Sequence, residues 1–142
     1  MKKVVCIALL LCMVCSVASA EYDLFNFNVY AGVFGCELLE EGTGTKTSAG
    51  IINYNAMDCI VSFDEEGKTI YVYGKSENFL PYCMAAVMAF EPQTSTFIEN
   101  CGKVLGSYLM ARNNGEQMNQ TTSGYIIDFS PNDDKMIFMI MK

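Results

Sequence analysis

Lys2 and Lys3, the unbroken apolar run from Val4 to Cys15 and the small-residue tripeptide Ala18-Ser19-Ala20 give the chain an opening that constrains everything after it. A basic start, a short apolar stretch and an A-x-A box make the pattern of a secretory signal peptide. Residues 1–20 are therefore expected to be removed, so that the mature chain begins at Glu21. The apolar run is shorter than the ~20 residues a membrane-spanning helix needs. The mature chain is accordingly expected to leave the membrane and reside in an extracellular, periplasmic or cell-surface space.

Residues 21–142, 122 in number, suit one domain with a real core and are too few for two. The whole chain has a formal charge of −7; the leader carries two lysines and no acid, so the remainder carries −9. Phosphate backbones and anionic lipid repel such a chain, so neither nucleic acid nor a membrane surface is expected as a partner.

Three of the seven cysteines lie in the leader and four remain, Cys36, Cys59, Cys83 and Cys101. An even number in an exported chain implies disulfides. Cys83 and Cys101 are equidistant from Pro92, in an expected turn between helices. Cys36 and Cys59 are equidistant from the loop Gly42-Thr-Gly-Thr-Lys-Thr-Ser48. Residues equidistant from an antiparallel turn lie side by side, which favours the bonds Cys36 to Cys59 and Cys83 to Cys101.

From Ile51 to Phe63, Met57, Cys59, Val61 and Phe63 alternate with Ala56, Asp58, Ile60 and Ser62, the period of a half-buried strand. Asp64-Glu-Glu-Gly67 supplies turn chemistry, and Lys68 to Tyr73 returns as a β-branched and aromatic strand. With Phe63 opposite Lys68, the expected pairs are Val61 with Ile70, Cys59 with Val72, Asp58 with Tyr73 and Ile60 with Tyr71. A second hairpin is expected from Thr122-Ser-Gly-Tyr-Ile-Ile-Asp-Phe129, Ser-Pro-Asn-Asp-Asp and Lys135 to Met139, after a polar loop from Glu116 to Ser123. Phe25, Phe27 and Val29 alternate within a further strand from Phe25 to Cys36.

Between the hairpins the period becomes helical. Phe79 to Phe90 is nearly all apolar or small, with Pro81 in the first turn, and reads as a buried helix. Thr96 and Glu99 make a capping box for a second helix carrying Phe97, Cys101, Val104, Leu105, Tyr108 and Leu109. Arg112 suits its negative end and Asn113-Asn114-Gly115 ends it. The fold class implied is α+β: an antiparallel sheet of about five strands, made of two β-hairpins plus an N-terminal strand, with an αα-hairpin packed on one face.

The chain contains no histidine. Ser-His-Asp and Cys-His machinery, His-ligated catalytic zinc and imidazole acid-base work are thereby excluded. Paired carboxylates could still hydrolyse a glycan, but the acids cluster in turns (Glu37, Glu40, Glu41; Asp64, Glu65, Glu66; Asp133, Asp134), where water surrounds them. Gly42 to Thr47 lacks the glycine before lysine that a phosphate loop requires, because Thr45 stands there. The acidic turns do not follow EF-hand spacing, so no calcium is expected. Met84, Met88, Met136, Met139 and Met141 read as adaptable core filler rather than Cu(I) ligands. No cofactor and no metal are expected.

The remaining candidate surface is a patch of Tyr54, Asp58, Tyr71 and Tyr73 on the sheet face opposite the helices, a platform for a sugar ring or a protein. Asn119-Gln-Thr121 is a glycosylation sequon in a eukaryotic source. The last strand, Met136 to Met141, is apolar on both faces and is expected to be central in the sheet. Together these features favour a small secreted, non-catalytic binding or inhibitor-like module whose partner is an extracellular protein or glycan. An extracellular carboxylate-dependent enzyme acting on glycans is the alternative.

Overall fold

A computed structural model describes residues 19–66, 68–75, 77–90, 97–122 and 124–141. Within them run helix α1 (Ser19–Val33), strands β1 (Thr45–Lys46), β2 (Ile51–Ala56), β3 (Cys59–Asp64) and β4 (Thr69–Gly74), helices α2 (Phe79–Phe90) and α3 (Phe97–Asn114), and strands β5 (Met118–Thr122), β6 (Tyr125–Asn132) and β7 (Lys135–Met141). The architecture is α+β with one antiparallel sheet, and the described strands are ordered β1-β2-β3-β4-β7-β6-β5. The last strand is central, between β4 and β6. No helix among the described residues is long and apolar enough to cross a membrane.

The expected N-terminal strand is instead α1, which also runs across the expected cleavage point after Ala20. The alternation of Phe25, Phe27 and Val29 was accidental: Phe27 is fully buried, whereas Phe25 and Val29 are exposed. The packed positions Leu24, Phe27 and Ala31 recur at i, i+3 and i+7. The helix stops at Gly35, whose φ is 73°. There Gly35 N–H donates to the Gly32 carbonyl at 3.1 Å and Cys36 N–H to the Ala31 carbonyl at 2.9 Å, the two bonds of a Schellman ending. Glycine enters that left-handed conformation without steric cost.

The expected continuous strand from Ile51 to Phe63 is broken into a hairpin at Met57 and Asp58, both with positive φ (49° and 63°). Two residues in the left-handed region match the twist of the flanking strands, although neither is glycine. β5 occupies part of the expected polar loop, and β1 adds a short strand at the opposite edge. Both are polar segments whose backbone pairing is dictated by a neighbour, β6 or β2, and not by their own pattern.

β3 and β4 pair as expected, but two residues further along. Cys59 faces Gly74, Ile60 faces Tyr73, Val61 faces Val72, Ser62 faces Tyr71 and Phe63 faces Ile70. The reason is Asp64, whose Oδ1 accepts from Lys68 N–H at 2.7 Å and Thr69 N–H at 3.0 Å and so lengthens the turn. A slip of two preserves the faces. Gly67 itself lies outside the described residues.

The three described helices lie on one sheet face, but α2 and α3 do not form the expected close αα-hairpin. α2 packs chiefly along α1, and α3 lies over β5 and β6. Phe27 from α1 meets the Phe63 ring edge-on at 5.4 Å and stacks on Tyr82 from α2 at 6.1 Å. Tyr108 from α3 meets Phe129, which packs on Phe138 at 4.9 Å. The buried stripe of α3 is Val104, Tyr108 and Ala111, while Leu105 and Leu109 are exposed. The expected cap residue Thr96 and turn residue Pro92 lie outside the described residues, as do residues 1–18.

Neither expected disulfide is present: no two of Cys36, Cys59, Cys83 and Cys101 lie at bonding distance. The symmetry argument for Cys83 and Cys101 failed with the helical hairpin it assumed. That for Cys36 and Cys59 failed because residue 36 follows a helix and is not part of a strand returning beside β3. Cys36, Cys59 and Cys83 are all buried. Burial pushes the Cys36 and Cys83 thiols up, with the neighbouring Cys59 adding to the effect.

Candidate functional site

The alternation of each strand divides the sheet. Cys59, Val61, Ile70, Val72, Phe138, Ile140, Ile127 and Phe129 are buried beneath the helices. The ladder registers then place Asn55, Ile60, Tyr73, Ile137 and Ser130 in one row across the opposite face. Asn53, Ser62, Tyr71, Met139, Asp128 and Asn119 form the next. The centre of this outer face is thus apolar and aromatic, and its margins are amides, hydroxyls and a carboxylate. Met139 and Met141 belong to it and are half-buried, so they are not the core filler expected of them. Met136 does pack against the core.

Of the four candidate residues, Asp58 and Tyr73 are brought together and Tyr71 stands two residues along the same face. Tyr54 is not with them. It points to the helix side, buried, with its ring edge-on to Phe63 at 5.8 Å. Burial, followed by the nearby Glu41 charge, raises its hydroxyl above its ordinary value. The error came from counting through Met57 and Asp58 as extended residues; the turn there resets the alternation of β2 relative to β3.

Asp58 and Tyr73 line a pocket of about 510 Å³ at the end of the sheet, with Ile60, Gly74, Lys75 and Lys135. Lys135 Nζ stands 4.7 Å above the Tyr73 ring, a cation–π contact that holds both side chains in place. Asp58 is fixed at the rim by its left-handed backbone in the β2–β3 turn. Gly74 brings the strands close: it faces Cys59, and a Cβ on it would stand 2.8 Å from Cys59 Sγ. An aromatic ring, the Ile60 side chain, a carboxylate and two ammonium groups therefore border one concavity, able to pack against an apolar surface and to hydrogen-bond hydroxyls around it.

Lys75 and Lys135 also border a second cleft of about 620 Å³ on the helix side of Gly74. Its floor includes Phe79 and Tyr108, and Arg112 reaches it from the last turn of α3. The lysines were missed in the sequence because Lys75 follows β4 and Lys135 opens β7, 60 positions later; only the β4–β7 pairing joins them.

No group of three cysteine, aspartate or glutamate side chains among the described residues is arranged to hold a metal ion. Among the described residues the carboxylates displaced from their ordinary range are Glu66 and Glu99, held low by hydrogen bonds from Lys68 and Lys103. Compared with protein-family models, curated proteins and solved structures, the chain matches none.

Proposed function

We propose that the chain is a small exported, non-catalytic binding module that takes its ligand on the outer face of the sheet, an extracellular glycan or protein. The observation carrying this reading is the pocket in which Lys135 lies over Tyr73, with Asp58 and Ile60 beside them. An aromatic face flanked by charged hydrogen-bonding groups suits a sugar ring, and Tyr71 and Met139 extend the apolar area towards the sheet centre. The leader-like residues 1–20 support export as the context.

Replacing Tyr71 and Tyr73 together by serine tests the reading. Binding to a glycan panel or to a partner recovered from the native extracellular medium should be lost while the circular dichroism spectrum is kept. Unchanged affinity in a folded variant, or turnover of a glycan with a carboxylate-type pH profile, would overturn it.

A further inference from the structure

Lys75 and Lys135 stand one step beyond Gly74 and Met136, the last pair of the β4–β7 ladder. Directly opposed residues of an antiparallel ladder have their Cβ atoms roughly 5 Å apart, and like charges there repel. Lys135 Nζ rests over the Tyr73 ring and Asp58 borders the same pocket, yet among the described residues neither lysine forms an ion pair. Of the described cations, Lys46, Lys68 and Lys103 are ion-paired, with Glu65, Glu66 and Glu99. Among the described residues Lys75, Arg112 and Lys135 have no carboxylate within ion-pair reach, and all three line the same cleft. The carboxylates that border it, Glu77, Asp133 and Asp134, are exposed and form no ion pair with these cations. Three described cations without an ion pair, two of them in opposed positions, thus line one cleft beside exposed carboxylates that do not engage them, which leaves their charge available to an acidic group of a ligand.

We propose that the ligand carries one acidic group, a carboxylate or sulfate on a sugar, which sits between Lys75 and Lys135 with Arg112 facing it, while the ring lies in the adjoining Tyr73 pocket. This rests on the reading of that pocket as a ligand site. The lysines are the shared wall of the two concavities, so one ligand reaches both. The remaining surface is acidic and repels a polyanion at long range, but the Debye length of about 8–10 Å confines that repulsion. A single acidic group close to three cations is therefore admitted where a nucleic acid is not.

The test is an amide-shift titration of the full chain, as its expressing cell leaves it, with glucuronate, glucose and inorganic sulfate at low ionic strength. Glucuronate should shift Tyr73, Lys75, Arg112 and Lys135 and bind at least tenfold more tightly than glucose; sulfate alone should shift the three cations. The double substitution K75M/K135M, with fold checked by circular dichroism, should reduce glucuronate to the affinity of glucose. Equal binding of the two sugars, unaltered by K75M/K135M, would overturn the acidic-group proposal and leave the pocket standing. If no sugar shifts Tyr73 while sulfate shifts the lysines, the anion seat stands and the sugar reading falls. No response to any of the three probes would overturn both.

Discussion

Gly74 and Cys59 face each other across β3 and β4 so closely that a Cβ on Gly74 would lie 2.8 Å from the Cys59 sulfur and 3.4 Å from the Asp58 carbonyl oxygen. Overpacking at such a site costs about 1–3 kcal/mol. Gly74→Ala should lower stability by that amount, read as a fall in the urea midpoint at constant slope. Cys59→Ala in the same chain should recover part of the loss, because it removes the atom that is struck. Strict additivity of the two changes would count against the contact.

Asn28 ties the end of α1 to the loop beyond it. Its Nδ2 donates to the Leu39 carbonyl at 2.8 Å and its Oδ1 accepts from Leu39 N–H at 2.9 Å. Each such bond contributes about 1 kcal/mol, so Asn28→Ala should cost about 2 kcal/mol. Asn28→Asp should do no better, since a carboxylate oxygen would then oppose the Leu39 carbonyl. Thermal melts of the two variants check this; a stable aspartate variant would refute the paired geometry.

The turn after β3 depends on Asp64, which accepts from both Lys68 N–H and Thr69 N–H. Asp64→Ala should cost about 1–2 kcal/mol, while Asp64→Asn, which keeps an acceptor oxygen, should cost less than half of that. Urea titrations of the two variants give the comparison, and equal losses would mean that the charge and not the acceptor matters.

Four buried groups, Cys36, Tyr54, Cys83 and Tyr82, are all raised above their ordinary values, each chiefly by burial. A raised value means that the folded chain holds its proton more tightly than the unfolded one. The stability so contributed is present below the unfolded values, about 8.5 for a thiol and about 10 for a phenol, and is lost as the pH climbs through the folded ones. The reduced protein should therefore have a level urea midpoint between pH 7 and about 8, and a falling one from about pH 9 upwards. Equal midpoints at pH 7 and pH 10.5 would contradict this.

Tyr82 also donates its hydroxyl to the Glu37 carbonyl at 3.1 Å. Tyr82→Phe should cost about 1 kcal/mol and make the alkaline limb less steep, because one of the four groups is then gone. Repeating the pH series on this variant checks it, and an unchanged limb would assign the effect to the thiols and Tyr54.

The strands that bury one face could be read directly from residue types. The alternation of Cys59, Val61 and Phe63, and of Ile70 and Val72, identifies the inward set correctly, and a register error of two leaves every side chain on its proper face. α2 was legible to its end residues because a run without polar residues can only be buried. What escaped was held by contacts distant in the chain. Phe25 to Val29 alternates like a strand, yet Phe27 takes its place from Phe63 and Tyr82, 36 and 55 residues away. Polar β5 becomes a strand only because β6 offers it a ladder. The site followed the same division: Tyr71 and Tyr73 were visible from alternation, while Lys75 and Lys135 needed the β4–β7 pairing. Tyr54 was misplaced by a turn built without glycine.

The two margins of the sheet differ from its middle. One ends in β1, only two residues long and carrying Lys46; the other ends in β5, whose Asn119, Gln120 and Thr121 are polar. A neighbouring molecule seeking to extend the ladder would find a charged stub on one side and, on the other, a strand polar beyond Met118, which itself packs against the core. The outer face of the sheet can therefore stay uncovered while its two ends offer a further strand little to pair with.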